Sequence, residues 1–226
     1  MTTIESRRAA ALAWMDTGST VFATAIQQFD DSDIKRPSLL PGWSRAHVVA
    51  HVAANADALG NLVRWARTGI ETPMYTSVEQ RLTDIEVGAR LPVPELREWV
   101  ARSSQALTAS LASLTEDRWA TEVKTALGRA VSASTVPWLR CREVLIHAVD
   151  LDAGRTFADL PRDFSANLLD ETCAKRSSEG GPAISLTASD HPGRWSVDGA
   201  GDPVAVEGLL TDLAAYLTGR PHNVRT

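Results

Sequence analysis

Apolar residues recur three or four positions apart through the first two thirds of the chain, which is the spacing of a helix with one buried face. Val21 and Ile26 belong to such a pattern over residues 4–28. A second stripe consists of Val48, Val52, Ala56, Leu59, Val63 and Ala66. Ser44 before this stripe is a good N-cap, and Gly69 after it is a good helix stop. The pattern therefore predicts two long helices.

Two further helices are indicated by cap and proline positions. Ser77, with Gln80 three residues later, is typical of a capping box, which predicts a short helix near 78–88. Pro94 fits the first turn of another helix that runs to about Leu114. The chain is therefore predicted to be helical up to this point.

The next segment, TEDRWATEVKTALGRAVSAST, has a mixed pattern and could hold a short hairpin. Thr135 and Pro137 then open one more helix, which we expect to end near Gly154. The helical region of the chain should end at about this glycine.

The pattern changes character in the last third of the chain. Residues 162–178 predict a helix, and residues 208–219 predict a final one. Between them lie three short β-prone segments separated by Gly, Pro and Asp, namely AISLTAS, RWSV and PVAVEG. The predicted fold is mainly α, with a helical domain over 1–153 and a small α+β domain over 154–226.

Composition and charge narrow the possible functions. The chain has 226 residues and a net charge of −5, and no Lys/Arg cluster suggests a nucleic-acid partner. No run of 18 apolar residues predicts a membrane span, and we interpret the N-terminal apolar stretch as the start of a helix. The two cysteines, Cys141 and Cys173, form no CxxC pair, which favours a reducing cytoplasm. The sequence does not indicate an oligomeric state.

The candidate chemistry lies in two spaced motifs. His47 and His51 are four residues apart, and His147 follows Glu143 by four, so each pair can share one helix face. Two imidazoles and one carboxylate form the ligand set of many catalytic zinc sites with an open position. We predict a site for zinc, or another divalent metal, at His51, Glu143 and His147. The alternative is that each histidine is hydrogen-bonded in the core.

Four other polar residues have open roles. From the sequence, three roles are open for His47: a fourth metal ligand, a group that hydrogen-bonds one of the ligands, or a helix-cap partner. Asn55, one turn beyond His51, either lines the pocket or is a surface amide. Arg81 and Arg220 are either solvated surface groups or cations that grip a carboxylate at two points.

Several segments resemble the mycothiol-dependent maleylpyruvate isomerases, and the similarity covers nearly the whole chain. They are LLPGWSRAHVVAHVAANADAL, TGIETPMYTSVEQR, PWLRCREVLIHAVDL and the closing YLTGR. The resemblance implies a DinB-like four-helix bundle followed by a small α+β domain. It also implies His51, Glu143 and His147 as metal ligands and Arg220 as a catalytic residue. Arg81 matches an arginine of the family's pattern, and we expect it, with Asn55, to bind the thiol cofactor.

The implied reaction converts maleylpyruvate to fumarylpyruvate, a step in the gentisate route of aromatic degradation. A carbon–carbon double bond does not rotate thermally, but it becomes a rotatable single bond while a thiolate is added to it. In this hypothesis zinc keeps the sulfur of mycothiol ionised. Arg220 stabilises the charge that develops on the substrate or holds a carboxylate.

Three rival functions stay open at this stage. A mycothiol S-transferase would use the same metal and thiol but would keep the adduct as its product. A zinc hydrolase would need no thiol, and HVVAH lacks the internal glutamate that serves as base in HExxH metalloproteases. A non-catalytic helical binding protein is the third alternative.

Overall fold

The structure is a computed structural model that describes residues 3–226 of the chain. Its contacts divide the chain into one unit that ends at Ala153 and a second unit, Gly154–Thr226. None of the helices in the described part combines the length and the apolar character that crossing a lipid bilayer requires.

The first unit is built mainly from helices, which confirms the predicted fold class for this part. Its helices are α1 (Thr3–Ile26), α2 (Arg45–Thr68), α3 (Val78–Gly88), α4 (Val93–Ala112), α5 (Glu116–Trp119) and α6 (Val136–Asp150). Short 3-10 helices lie at Asp33–Lys35 and Ala133–Thr135. The strands β1 (Glu122–Lys124) and β2 (Ala130–Ser132) pair antiparallel, in the segment where the sequence left a short hairpin open.

The predicted caps set the bounds of the two helices that follow α1. The Ser44 side chain caps α2, which ends at Gly69 in the left-handed conformation with a φ of 74°. At Ser77 only one half of the predicted capping box is seen, since its hydroxyl accepts from the backbone N–H of Gln80 at 3.0 Å. The Gln80 side chain instead donates to Asp84 at 2.6 Å, one turn further along α3.

The end of α6 differs from the prediction, because the helix stops at Asp150 and not near Gly154. Asp152 leaves the helix with a φ of 51°. The Arg45 guanidinium donates hydrogen bonds to two backbone carbonyls at this end, to Leu151 O at 2.7 Å and to Asp152 O at 2.6 Å. A cation from α2 thus satisfies the C-terminal end of α6.

Helix α2 lies at the centre of the first unit. It is buried along nearly every position from Ala46 to Leu59, and such all-round burial is typical of a helix enclosed by others. Two polar residues of α2, His51 and Asn55, are therefore carried into the interior, at 6 % and 5 % exposure.

On α1, Gly18 lies against Val144 and Leu145 of α6.

The second unit combines helices with a small sheet, as the sequence predicts. Its elements are a 3-10 helix (Phe157–Asp159), α7 (Arg162–Glu179), β3 (Pro182–Ala188), β4 (Arg194–Val197), β5 (Ala200–Gly208) and α8 (Leu210–Leu217). The strand order is β4-β3-β5, with β4 antiparallel and β5 parallel to β3. Leu186 and Val206 of this sheet and Leu213 of α8 are fully buried.

The close approach of α1 and α6 predicts that Gly18→Ala destabilises the protein. An added Cβ would lie 2.5 Å from Val144 Cγ2 and 2.9 Å from Leu145 Cγ, so the helices must separate. We expect a loss of about 1–3 kcal/mol in urea unfolding followed by circular dichroism. Gly60→Ala in α2 is the matched control, because nothing lies within 4 Å of its added Cβ. It should stabilise the helix by about 0.5–1 kcal/mol, and equal effects of the two variants would contradict the packing argument.

Candidate metal centre

His51, Glu143 and His147 meet where α2 and α6 pack. Glu143 Oε2 lies 2.8 Å from His51 Nε2 and 3.3 Å from His147 Nε2. One ligand atom from each of the three residues lies within 4.8 Å of the others, a spacing that could hold a metal ion. The two motifs, 92 residues apart in the chain, therefore converge on one point.

The cluster is accessible although it is set into the bundle. The side chain of His51 is 8 % exposed, whereas that of Glu143 is 24 % exposed. Within the described residues, the group that could hold an ion comprises only these three side chains. A tetrahedral ion bound by three protein ligands keeps a position for an external ligand such as a thiol.

Asp150 lies behind His147 and fixes its orientation. Its Oδ2 is 2.8 Å from His147 Nδ1, and its side chain is fully buried. The other ring nitrogen of His147 therefore faces Glu143, as in the carboxylate–histidine–metal arrangements of metalloenzymes. Sequence reasoning missed Asp150. Its position three residues after His147 on the same helix was the available signal.

The charges of the cluster are coupled. Burial alone would lower the pKa of His147, but hydrogen bonds and attraction from Asp150 and Glu143 outweigh it and raise this pKa to about 9. Burial would raise the pKa of Glu143, yet hydrogen bonds from His147 and His51 hold this pKa well below its ordinary value. Without a metal, the Glu143 carboxylate therefore faces a protonated His147 at pH 7.

His51 is neutral in this arrangement and has a defined tautomer. Burial lowers its pKa, although the hydrogen bond and charge of Glu143 act to raise it. Arg81 on α3 places Nη2 at 3.4 Å from His51 Nδ1. Because a guanidinium can only donate, Nδ1 accepts, and the proton on Nε2 points to Glu143. The Trp43 ring forms a further wall, edge-on to His51 at 5.5 Å between centroids.

The donor set fits a divalent cation such as zinc. Two imidazole nitrogens face one largely buried carboxylate, which is the borderline N/O environment that zinc accepts. The nitrogen of each histidine that faces the carboxylate carries a proton only in the absence of a metal. A cation would replace these protons as the partner of the Glu143 charge.

His47 is a cap partner and lies outside this cluster. Its Nδ1 accepts from the backbone N–H of Ser44 at 3.2 Å and lies 2.6 Å from the Ser44 hydroxyl. Its other nitrogen is 3.5 Å from a carboxylate oxygen of Glu86. Of the three roles open from the sequence, the geometry supports the helix cap.

Asn55 is buried, which excludes the surface-amide alternative. Its side-chain oxygen accepts from the Arg140 guanidinium at 3.0 Å. Arg140 is 1 % exposed, and it also donates to Val52 O at 2.6 Å and to Ser104 Oγ at 3.0 Å. Burial lowers the pKa of Arg140 to about 10, which leaves it charged at pH 7. A role of Asn55 in binding the cofactor stays a prediction.

Arg220 belongs to the second unit and lies just after α8. Its guanidinium donates to the backbone carbonyl of Thr218 at 2.6 Å. Its catalytic role also stays a prediction.

Comparisons with known proteins support a common origin with one group of enzymes. Residues 8–152 match the family model for the mycothiol maleylpyruvate isomerase N-terminal domain. The crystal structure of a mycothiol-dependent maleylpyruvate isomerase is similar with a TM-score of 0.93 and 38 % identity, over 99 % of this chain and 94 % of that one. The crystal structure of a histidine-to-alanine mutant of such an isomerase is similar with a TM-score of 0.92 and 38 % identity, over 98 % of this chain and 93 % of that one. A search of curated protein sequences finds no match.

The charge state of the cluster predicts that zinc binding at pH 7 releases about one proton from His147. Below its pKa of about 9 the metal-free imidazole holds this proton, and a metal must displace it. Zinc affinity should therefore rise about tenfold per pH unit from pH 7 toward 9 and then level off. Isothermal titration calorimetry in buffers of different ionisation enthalpy counts the protons.

Asp150→Asn is the matched variant for this titration, because it keeps the shape of the side chain and removes its charge. The variant should release fewer protons at pH 7 and bind zinc about 10-fold to 100-fold more weakly. An equal proton count in both proteins would contradict the charged state of His147.

Proposed function

Because this chain belongs to the mycothiol maleylpyruvate isomerase family, we propose that it converts maleylpyruvate to fumarylpyruvate with mycothiol as its thiol cofactor. The observation that carries the proposal is the convergence of His51, Glu143 and His147 in a chain 38 % identical to such an isomerase over nearly its full length. The substrate class is a small 2-oxo acid with a cis double bond.

We assign the metal to His51, Glu143 and His147. A divalent cation at these residues would keep the mycothiol sulfur ionised at neutral pH. His51 and His147 supply neutral nitrogens once their protons are displaced, and Glu143 supplies the negative charge. Asp150 accepts from His147 Nδ1 and so keeps the opposite nitrogen directed toward the ligand position.

The substrate carries a carboxylate at each end, so the reaction needs cations. We assign to Arg220 the stabilisation of the negative charge that develops on the substrate carbonyl, since a positive group near that oxygen lowers the barrier. The contact of Arg81 with His51 Nδ1 supports a role for this arginine near the metal ligands. We retain Arg81 and Asn55 as the residues of the cofactor pocket.

A cytoplasmic location belongs to the same proposal. Cys141 and Cys173 are both buried, and neither is bound in a disulfide. Such cysteines are compatible with a reducing compartment, where a thiol cofactor would also stay reduced.

The direct test incubates the zinc-loaded protein with mycothiol and maleylpyruvate and follows the loss of substrate absorbance. We expect isomerisation that requires both thiol and metal and returns the thiol unconsumed. Consumption of one thiol per turnover would indicate an S-transferase, and turnover without thiol would indicate a hydrolase.

His51→Ala should abolish both zinc binding and isomerisation in this assay, because it removes a ligand. The matched control is His47→Gln, which removes an imidazole on the same helix but keeps a residue suited to the cap of Ser44. The control should retain zinc and activity. Full activity of His51→Ala would contradict the metal assignment.

For Arg220→Ala we expect an unchanged melting temperature and zinc content. The rate should fall about 100-fold or more, since the cation that stabilises the developing charge is lost. Steady-state kinetics with metal analysis measure both quantities. An unfolded variant would reassign Arg220 to structure, and a wild-type rate would remove it from the reaction.

A further inference from the structure

Arg220 occupies a defined place in the turn that ends α8. Gly219 is left-handed, with a φ of 72°. Its N–H donates to Tyr216 O at 3.1 Å, and the N–H of Arg220 donates to Ala215 O at 2.9 Å. This pair of bonds is the Schellman motif, in which a hydrophobic side chain often follows the glycine and packs on the helix. Here an arginine follows the glycine, which indicates a use other than packing.

The chain beyond α8 turns back and runs beside this helix. The ring of His222 lies edge-on to that of Tyr216, at 5.1 Å between centroids. Further along, the backbone N–H of Asn223 donates to Asp212 Oδ1 at 3.0 Å. Tyr216 and Asp212 are four residues apart, so they lie on one face of the helix. The returning segment, residues 221–225, therefore follows α8 from its end toward its start.

The far end of the returning segment is fixed to the sheet. Arg225 exchanges two backbone hydrogen bonds with Glu207 of β5, at 2.8 and 2.9 Å. Val224 lies against Gly208, where an added Cβ would come within 3.2 Å of the valine side chain. Asp212 thus accepts from the middle of a segment that starts at the end of α8 and finishes on β5.

Asp212 contributes to more than its own helix. It belongs to the first turn of α8, where a carboxylate interacts favourably with the helix dipole. Its oxygen nevertheless accepts from Asn223, 11 residues further along the chain. A hydrogen bond with a charged acceptor is roughly twice as strong as one between neutral groups. The carboxylate therefore also sets the path of the returning segment.

The proposed task of Arg220 requires a fixed position. An error of about 1 Å in the placement of a reacting group can lower a rate about 100-fold. The Arg220 guanidinium donates to Thr218 O at 2.6 Å, at the negative end of α8. Because helix ends fray, a side chain at this turn moves with it unless the chain that follows is anchored. The bond at Asn223 anchors that chain three residues after Arg220.

We propose that Asp212 is a positioning residue of this enzyme. Its carboxylate anchors the returning segment against α8 and so keeps Arg220 at the end of that helix, in the orientation that the reaction needs. The task of Arg220 in this inference rests on the function proposed above. The anchoring involves residues of the second unit alone and does not depend on the identity of the substrate.

The first test measures kinetics of the zinc-loaded protein with mycothiol and maleylpyruvate. Asp212→Ala removes the acceptor, and we expect kcat to fall about tenfold, the effect of losing one hydrogen bond to a charged group. KM should change by less than about twofold, because Arg220 acts on charge that develops during the reaction. Asp212→Asn keeps an oxygen that can accept, and its kcat should stay within about threefold of the wild type.

Two comparisons exclude a simple effect of charge. Glu207→Ala is the matched control, because it removes a carboxylate beside the same segment while Glu207 holds Arg225 through its backbone. This control should have the wild-type kcat. Asp212→Ala and Asp212→Asn lose the same charge from the first turn of α8. A role confined to the helix dipole would therefore make these two variants equal, and that result would overturn the proposal.

Hydrogen exchange followed by NMR measures the anchoring without any turnover. In Asp212→Ala the amides of Asn223 and Arg220 should exchange about tenfold faster, since the loss of one bond loosens the segment and the turn before it. Asp212→Asn should change both rates by less than about threefold. An unchanged rate at Arg220 would overturn the proposal, because the returning segment would then not influence that residue.

Two more variants test whether Asp212 acts through this bond and through Arg220. Asn223→Pro removes the donor of the same bond without altering α8, so it also serves if Asp212→Ala lowers the melting temperature. It should reproduce the loss of kcat at unchanged zinc content. Adding Asp212→Ala to Arg220→Ala should cost nothing further, since residues that act through one another are not additive. Full activity of Asn223→Pro, or additive losses, would contradict the inference.

The outcomes separate this inference from the proposed function. If the wild type isomerises maleylpyruvate and Asp212→Ala keeps the wild-type kcat, the inference on Asp212 is wrong and the function stands. If the wild type does not isomerise, the function is wrong, and exchange at the Arg220 amide still decides whether Asp212 positions Arg220. Unfolding of both Asp212→Ala and Asn223→Pro would make the bond structural and overturn the inference.

Discussion

A carboxylate lies largely buried between α2 and α6, and its negative charge must be compensated there because burial of an unpaired charge is costly. In the metal-free protein a protonated His147 and a hydrogen-bonded His51 provide that compensation. Asp150 in turn balances the charge of His147. The need to balance this charge links His51 of α2 with Glu143 and His147 of α6. The same three side chains are those that a divalent cation would bind.

The interior of the bundle is adapted to polar residues at more than one point. Arg140 is almost fully buried, and its Nη1 and Nη2 groups donate to Val52 O, Asn55 and Ser104. Because these hydrogen bonds join a buried charge on α6 to residues of two other helices, the network ties α6 to α2 and α4. It holds α2 in the position from which His51 reaches Glu143.

The segment between α2 and α3 is fixed at both of its ends. It is pinned to α2 by Asn61 and closed by the Ser77 cap of α3. Loops held by a stable scaffold are the usual carriers of substrate-binding groups. Here the arrangement brings Arg81 to Nδ1 of His51, the ring nitrogen that does not face Glu143.

Much of this protein follows from local signals in its sequence. The helical periodicity and the caps at Ser44, Ser77 and Gly69 determined the helices, because these effects act within a few residues. Spacing four apart put Glu143 and His147 on one face, and His51 from the other motif completed the predicted ligand set. Tertiary structure decided what lies across elements: the parallel pairing of β3 with β5, the end of α6 under Arg45, and the cap role of His47 instead of a ligand role. It also revealed the hydrogen bond of Asn55 with Arg140, because a bond between side chains of two helices depends on how the helices are packed.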